Sequence, residues 1–476
     1  MSWGTRRAMY EVEQLIAGRR QPGGAGRELT VVDPRDDAPV TRVPVSSAVD
    51  VAMAVRAARA AAPDWARTPA AARGAALHAA AAAVEAGADR LAAAASAEMG
   101  KPVGEARESV LAGAGTLRQY AELGPAHRGR TLAGNDHAID LMAYQPRGVV
   151  AVITPWNDPV AVACGLIGAA LVTGNTVVTK PSERTPATGW LLADMLAPHL
   201  PDGVFGLLNG DGEVGAALAA APVDVVAHVG STATGRAIAA ACAGTGAKAL
   251  LENGGSDPLI VDAGVDPCWA AEQAALGAFA NAGQICVAVE RIYCDRTSEE
   301  PFLEALAAEA EQWRPRLGPL VDRRHRDLVD DQVRRARKDG ARVLRGGEIP
   351  AGPGAWYPPT VLAGCTDEMA VLRDETFGPV APVVAVDSFD EALRRAADSP
   401  YGLAATVLTG SMSHAQRAWR ELPAGTVKVN AVFGGAPAGA AHPRRGSGQG
   451  FGYGPELLDE MTVTKAVHVE APYGGW

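Results

Sequence analysis

The stretch Gly148-Val-Val-Ala-Val-Ile-Thr-Pro-Trp-Asn157 begins the part of the chain that decides the fold. Its five apolar residues, 149–153, form a short strand-like run, and a helical pattern starts at Pro159. The alternation continues with strand-like runs at 176–179, 204–208, 225–229 and 249–251, and helical patterns from Pro186, at 215–220 and at 234–243. Short apolar strands separated by helices predict a parallel, doubly wound α/β sheet, the architecture in which nucleotides usually bind.

On either side of this series the pattern changes. Helical patterns cover 48–62, 70–86, 88–99 and 103–123, after β-like pieces at 29–32 and 41–45. A second α/β series begins near Pro258 and runs to about Pro443. The alternating stretch 138–144 suits an exposed or intersubunit hairpin, and residues 462–469 predict a final strand.

Length and composition exclude several classes of protein. A chain of 476 residues is too long for one ordinary core, and 48% hydrophobic residues are enough to bury a large one. A net charge of −10 without a basic run argues against nucleic acid as a partner. No apolar run is long enough for a membrane span or a signal peptide. Six cysteines without metal-ligand spacing argue against disulfides and zinc, so we expect a cytoplasmic protein without a metal.

One cysteine stands in an unusual setting. The stretch Asn281-Ala-Gly-Gln-Ile-Cys286-Val places Cys286 in a turn of small residues, where a substrate has room to approach the thiol. Taken alone, such a cysteine is more often a small buried hydrophobic residue. Three other stretches supply groups that a thiol needs for aldehyde chemistry: Thr154-Pro-Trp-Asn157, Leu251-Glu252-Asn-Gly-Gly255 and Glu375-Thr-Phe377-Gly-Pro379.

These four stretches, in this order, resemble the aldehyde dehydrogenase superfamily, and the resemblance runs from about Val32 to about Val469. It implies a Rossmann-type NAD domain (1–123 and 146–253), a second α/β catalytic domain (254–446) and a β oligomerisation arm (124–145 and 457–476). The arm implies a homodimer or homotetramer. The implied reaction is the NAD-dependent oxidation of a small-molecule organic aldehyde to its acid.

The resemblance also implies a role for each catalytic group. The Cys286 thiolate forms a thiohemiacetal, whose oxyanion is stabilised by the amide of Asn157 and the backbone N–H of Cys286. Loss of hydride leaves a thioester, and Glu252 activates the water that hydrolyses it. Each residue also has a structural interpretation, because Asn157 would serve equally as a helix cap and Glu252 as a surface charge. Alternatives for the whole chain are an NADP-preferring semialdehyde dehydrogenase, a non-catalytic relative of the fold, and a thioesterase that needs no dinucleotide.

Two glycine-rich turns are candidates for cofactor binding. Gly210-Asp-Gly212-Glu-Val-Gly215 matches the dinucleotide-binding pattern GxGxxG. However, it follows the third strand of the series and not the first, and no acidic residue lies near position 235 to bind a ribose. A glycine-rich turn without a role in phosphate binding is therefore an equally good interpretation. Gly230-Ser231-Thr-Ala-Thr-Gly235 opens a helix whose free N–H groups suit a pyrophosphate.

In the family, the turn at Ser231 binds the phosphate and Gly212 adjoins the adenine. The segment Lys180-Pro-Ser182-Glu183 binds the adenosine ribose, although an exposed loop ion pair is the alternative. A carboxylate at Glu183 would repel a 2′-phosphate, which favours NAD over NADP. Further cofactor contacts are implied for Thr154, Trp156, Gly230, Glu375 and Phe377.

The sequence departs from its relatives around the substrate. Asp158 stands where most relatives carry an aromatic residue; it either recognises a substrate amine or hydroxyl or, as we favour, caps the helix that begins with Pro159. Arg444 or Arg445 either clamps a substrate anion or, as is more common, lies in a solvated loop or subunit contact. Small residues predict a roomy tunnel for a bulky or long aldehyde; the candidate lining is Gly113, Val162, Gly165, Ile285 and Phe433.

Overall fold

In the computed structural model of the chain, residues 9–435 and 439–470 are described. The strands of the first half are β1 (Tyr10–Glu11), β2 (Gln14–Ile16), β3 (Arg19–Gln21), β4 (Glu28–Val32), β5 (Pro39–Pro44), β6 (Arg130–Leu132), β7 (Ala138–Pro146), β8 (Val149–Ile153), β9 (Thr176–Lys180), β10 (Phe205–Leu207), β11 (Val225–Val229) and β12 (Lys248–Glu252). Those of the second half are β13 (Asp257–Val261), β14 (Val289–Asp295), β15 (Arg342–Arg345), β16 (Thr360–Ala363), β17 (Val380–Val386), β18 (Ala404–Leu408), β19 (Thr426–Val429), β20 (Gly448–Gln449) and β21 (Thr462–Glu470).

The helices of the first half are α1 (Ala48–Arg67), α2 (Ala70–Ala86), α3 (Ala88–Met99), α4 (Val103–Ala126), α5 (Pro159–Val172), α6 (Pro186–Leu196), α7 (Gly212–Ala219) and α8 (Thr232–Thr245). Those of the second half are α9 (Pro267–Phe279), α10 (Glu299–Trp313), α11 (Arg323–Lys338), α12 (Ala370–Arg373), α13 (Phe389–Ala397), α14 (Met412–Glu421) and α15 (Glu456–Glu460). None of these described helices combines the length and apolarity that crossing a bilayer requires.

The first large sheet has the strand order β20-β12-β11-β8-β9-β10-β2-β3. Strands β8 to β12 run parallel, and β8, β9 and β11 are buried along their whole length because helices cover both faces. The predicted doubly wound α/β sheet is confirmed. Strands β9 and β10 follow β8 on one side of it in the sheet. The chain then crosses back, and β11 and β12 lie on the opposite side of β8. This reversal creates a crevice at the carboxyl ends of β8 and β11, where open α/β sheets bind ligands.

The second large sheet has the order β15-β16-β17-β14-β13-β18-β19, parallel except for the β15–β16 pair. The chain passes from one sheet to the other between Glu252, at the end of β12, and Asp257, at the start of β13. The four residues of this crossing therefore lie at the junction of the two sheets, and the candidate site is built around them.

A third, smaller sheet is formed by β21, β7 and β6. The strands β7 and β21 pair antiparallel over nine residues, from Pro146↔Thr462 to Ala138↔Glu470. The predicted hairpin 138–144 and the predicted final strand 462–469 are therefore parts of one ribbon. The domain boundaries, and the role of this ribbon in assembly, stay predictions.

Several element boundaries differ from those predicted. Helix α1 continues past Pro63 to Arg67, because Trp65 packs into the core and its indole N–H donates to Leu171 O at 3.0 Å. Helix α7 begins at Gly212 and not Gly215, because the Asp211 side chain accepts from the Glu213 N–H. The three-residue strand β2 was not predicted, since a run so short has no readable alternation.

Candidate active site

The turn that carries Cys286 is held in an unusual backbone conformation. After α9 ends, Asn281, Ala282 and Gly283 have φ of 48°, 55° and 72°, in the left-handed region. Such a conformation is unfavourable for alanine and persists only where neighbouring groups enforce it. A Cβ on Gly283 would lie 2.1 Å from Gly378 O, so the turn also needs glycine for its close packing.

Side-chain amides enforce this turn. The Gln284 amide donates to Asn281 O at 3.0 Å and accepts from the Val321 N–H at 2.9 Å. Gln284 O in turn accepts from the Asn281 amide at 3.1 Å and from the Asn157 amide at 3.1 Å. The Asn157 side chain is thus bonded to this loop, and helix α5 has no side-chain cap hydrogen bond, so the interpretation of Asn157 as a helix cap is wrong.

The sulfur of Cys286 lies 3.5 Å from Oε1 of Glu252, to which the thiol donates. Glu252 ends β12 and belongs to the first sheet, whereas Cys286 precedes β14 of the second. The surface-charge interpretation of Glu252 is wrong, because its carboxyl faces the thiol at the junction of the sheets. Cys286, Glu252 and Asn157 all line one cavity, and their catalytic roles stay predictions.

Buried carboxyl groups dominate the electrostatics. Burial, and next the Glu252 carboxylate, raise the pKa of the Cys286 thiol well above its usual value. Burial also raises the pKa of Glu252, while the thiol hydrogen bond opposes that rise. The pKa of Glu375 is raised by burial to about 7, and that of Asp257 to about 8. With so few positive charges nearby, the thiol needs an adjacent proton acceptor, and Glu252 is the group in contact with it.

One cavity, of about 330 Å³, has Cys286 in its wall. Its described lining includes five of the predicted cofactor residues: Trp156, Gly230, Ser231, Glu375 and Phe377. Trp156 meets Phe377 edge-on, with ring centroids 5.5 Å apart, and meets His325 at 5.9 Å. The predicted contacts Thr154, Lys180, Ser182, Glu183 and Gly212 are not among the described residues of this cavity.

A second group of predicted cofactor residues lies beside the first sheet, outside that cavity. Lys180 and Glu183 form an ion pair of 3.5 Å, with the lysine side chain buried. A Cβ on Gly215 would lie 3.7 Å from Cδ of Lys180, so the lysine runs against α7, and the space at Gly212 is open. This arrangement leaves both interpretations of the segment open, since an ion pair is present and open space adjoins it.

The residues that line the first cavity fit a dinucleotide. Ser231 caps α8 by accepting from the Thr234 N–H at 3.3 Å, and it lies at the crevice between β8 and β11, where the helix N-terminus favours an anion. The Glu375 carboxylate accepts from the Gly255 N–H at 3.0 Å, and a Cβ on Gly254 would lie 2.1 Å from it, so the backbone must approach closely there. The aromatic rings suit the flat nicotinamide ring, and the Glu375 carboxylate suits the hydroxyls of a ribose. The N-terminus of α8 suits a phosphate.

A second cavity, of about 690 Å³, opens on the other side of Glu252. Among described residues, it shares only Val229 and Glu252 with the first cavity. The predicted residues Val162 and Gly165 line it; Gly113, Asp158, Ile285, Phe433 and Arg444 are not among its described lining. Gly113 instead packs α4 against α5, since a Cβ there would lie 3.2 Å from Cα of Ala161.

The favoured interpretation of Asp158 as a side-chain cap is wrong. It occupies the position before Pro159, but its side chain forms no hydrogen bond with the first turn of α5. Its carboxylate instead accepts from the Ser109 hydroxyl and lies 4.0 Å from Nζ of Lys101. Helix α4, which carries Ser109, supplies a side-chain donor that competes with the backbone N–H groups.

The two arginines also differ from each other in the structure. Arg445 donates to Ala397 O at 2.7 Å and to Ser399 O at 2.5 Å, so it fastens a loop and is not a substrate clamp. The Arg444 side chain is exposed.

Some contributors to the site were not predicted. Glu290 accepts from the N–H groups of Thr376 and Phe377, at 2.9 and 2.7 Å, and so holds Phe377 at its φ of 52°. His325 lies 2.7 Å from Phe377 O through Nε2. The sequence could have indicated Glu290, because an acidic residue within an apolar strand is unusual. Nothing in the sequence distinguishes His325, which lies on a helix of mostly polar residues. Within the part of the chain described, no group of three or more His, Cys, Asp or Glu side chains is arranged to hold a metal.

Comparison with known proteins gives a consistent result. The sequence profile of the aldehyde dehydrogenase family matches residues 22–467. The NAD-dependent aldehyde dehydrogenase of Sinorhizobium meliloti is 33% identical, with 98% of this chain and 97% of that chain covered and a TM-score of 0.94. The lactaldehyde dehydrogenase of Escherichia coli is 32% identical, with 98% and 100% covered and a TM-score of 0.95. The betaine aldehyde dehydrogenase of Staphylococcus aureus, solved with NAD⁺, is 28% identical, with 96% and 95% covered and a TM-score of 0.93.

Proposed function

Because the chain belongs to the aldehyde dehydrogenase family and oxidises an aldehyde with NAD, we propose that Cys286, Glu252 and Asn157 carry out this reaction. The observation that carries the proposal is the 3.5 Å contact between the Cys286 thiol and Glu252 at the point where the two cavities meet. Cys286 lines the first cavity and Glu252 lines both, so we propose that the cofactor occupies the first cavity and the aldehyde the second.

The first step is addition of the thiol to the carbonyl carbon. The thiol proton passes to Oε1 of Glu252, which already accepts its hydrogen bond. The new carbon–sulfur bond turns the carbonyl oxygen into an oxyanion. This transfer is needed because burial of the thiol, and next the nearby carboxylates, raise the pKa of Cys286 and disfavour a resting thiolate.

Two donors are available for the oxyanion. The Asn157 amide nitrogen has two N–H bonds, and one of them donates to Gln284 O. The second is free to face the oxyanion. The backbone N–H of Cys286 has no partner among the described acceptors and supplies the other donor. Each good donor of this kind contributes about 3–4 kcal/mol to transition-state stability.

The tetrahedral adduct then breaks down to a thioester on Cys286. Bound NAD supplies the acceptor for the hydride that the former aldehyde carbon loses. Glu252, after releasing the first proton to solvent, takes a proton from water, and the resulting hydroxide attacks the thioester carbon. The carbon–sulfur bond breaks, the carboxylic acid leaves and the thiol is restored. Aldehyde, water and NAD⁺ are thus converted to acid, NADH and a proton.

We propose a bulky or long organic aldehyde as the substrate. The cavity beyond Glu252, with a volume of about 690 Å³, is lined largely by Ala, Gly and Val, which supports this proposal. We further propose NAD as the preferred cofactor, since Glu183 places a carboxylate beside Lys180. A homodimer or homotetramer assembled through the β6–β7–β21 sheet is also proposed, because exposed Ile139, Val463 and Val469 give it apolar surface.

Replacement of Glu252 by Gln tests the proposed base. Without it, thioester hydrolysis should slow by about 10²- to 10⁴-fold. Mixing the variant with NAD and an aldehyde should therefore give one burst of NADH, followed by protein that carries an added acyl mass. Because the thiol also passes its proton to Glu252, the burst itself should be slower than in the parent and should recover as the pH is raised.

The matched control is Cys286→Ala, which should bind NAD but give neither NADH nor an acyl mass. Steady turnover of Glu252→Gln at the parent rate would overturn the role of Glu252. NAD binding measured on both variants separates lost chemistry from lost folding.

A further inference from the structure

Lys428 is the one basic residue among the described residues that line the cavity beyond Glu252. It lies on β19, at the edge of the second sheet, and lines the cavity beyond Glu252. Among the described residues of that cavity, Glu252 and Lys428 alone carry charges; the polar remainder consists of the hydroxyls of Thr116, Thr426 and Tyr453. The Thr116 and Tyr453 hydroxyls are 2.9 Å apart and partly satisfy each other.

The ammonium group of Lys428 is only partly engaged. One N–H donates to Val432 O at 2.7 Å, and the nitrogen lies 5.5 Å from the centroid of the Phe433 ring. It forms no ion pair with a carboxylate in the described part of the chain. An ammonium has three N–H donors, so two remain for another acceptor.

The Lys428 ammonium is also close enough to Cys286 for the charges of the two groups to interact. Burial lowers its pKa, while the charges of Asp257 and Cys286 raise it. Asp257, the carboxyl group whose charge acts on Lys428, is itself buried, and burial raises its pKa to about 8, so it competes weakly for the ammonium. A half-buried cation without an anion in contact favours a ligand that brings one.

We propose that Lys428 selects the substrate, by binding a carboxylate at the end of the aldehyde remote from its carbonyl group. A single ammonium matches the single charge of a carboxylate, and the Ala, Gly and Val residues that make up most of the wall leave room for an extended chain. Lys428 would act as a specificity residue that holds the substrate tail, while the carbonyl group lies between Cys286 and Asn157. This proposal rests on the proposed function, since it assigns the cavity beyond Glu252 to the aldehyde.

The test compares unbranched aldehydes of equal length that end in a carboxylate, a neutral amide or a trimethylammonium group. The parent protein should have the highest kcat/KM with the carboxylated aldehyde, and this preference should weaken as ionic strength rises. In Lys428→Met, which preserves length but removes charge, the ratio of kcat/KM for carboxylated over neutral aldehyde should fall about tenfold or more, mainly through KM. Lys428→Arg is the matched control and should retain most of the ratio.

Three results would overturn the proposal: no preference for the carboxylated aldehyde in the parent, a preference for the cationic one, or an unchanged ratio in Lys428→Met. An equal loss on all aldehydes, with a shifted pH profile of kcat/KM, would instead assign Lys428 to the ionisation of Cys286. Failure of the proposed function looks different, because the parent would then form no NADH and no acyl-enzyme with any aldehyde.

Discussion

Removal of the Asn157 amide is the most direct test of how the site stabilises the oxyanion. In Asn157→Ala, one of two donors to the oxyanion is lost, because the other is the Cys286 backbone N–H. Loss of one such donor costs about 2.7–4 kcal/mol, which corresponds to a decrease of about 10²- to 10³-fold in kcat. The decrease should be equal in kcat and kcat/KM, since the interaction forms only as the oxyanion develops.

The structure predicts that the loop itself survives this change. Gln284 O accepts from both Asn157 and Asn281, each at 3.1 Å, so the substitution leaves one donor in place. The loss in the free energy of unfolding should be about 1 kcal/mol, the usual contribution of one hydrogen bond. Asn157→Asp should be more damaging than Ala, because it removes the donor and adds a carboxylate to a site already rich in them.

The assay is NADH formation at saturating cofactor, with an aldehyde carrying hydrogen or deuterium on the carbonyl carbon. If the chemical step becomes rate-limiting in Asn157→Ala, the deuterium isotope effect should rise. The matched control is Asn281→Gly, which suits the left-handed backbone and removes the other amide on Gln284 O, together with its 3.5 Å contact to Asn157 O. A loss below about tenfold in Asn157→Ala, or an equal loss in Asn281→Gly, would refute the oxyanion role.

Two further changes test the cofactor side and the electrostatics. Glu183→Gln should raise kcat/KM for NADP roughly tenfold relative to NAD, because removing one repulsive charge contact near 4 Å is worth between about 1 and 4 kcal/mol; an unchanged ratio of the two cofactors would contradict this. Asp257, whose folded pKa is about 8 against an ordinary 3.8, keeps a proton between these values that the unfolded chain lacks, so the free energy of unfolding falls as pH rises through this window. Asp257→Asn keeps an acceptor for the Ala404 N–H, and its Tm relative to the parent should increase from about pH 5 to about pH 8; a pH-independent difference would count against the raised pKa.

Local pattern was enough for much of the fold. The boundaries of β8, β11, α2 and α3 agree with those predicted, because apolar periodicity is a property of neighbouring residues. The extension of α1 through Pro63 was not predictable, since it depends on a tertiary contact of Trp65 with Leu171. The pairing of 138–146 with 462–470 is likewise a contact between segments that no local pattern connects.

The sequence by itself determined the chemistry that is available: a thiol in a turn of small residues, an amide, a carboxylate and two glycine-rich turns, in an order typical of one family. Only the tertiary structure decided where each of these groups points. It placed Cys286 against Glu252 across the junction of two sheets, turned Asp158 towards Ser109, fastened Arg445 to a loop and left Lys428 facing a cavity. The physical reason is that residue type and spacing control local conformation, whereas the direction of a side chain depends on which distant groups compete for its hydrogen bonds and its burial.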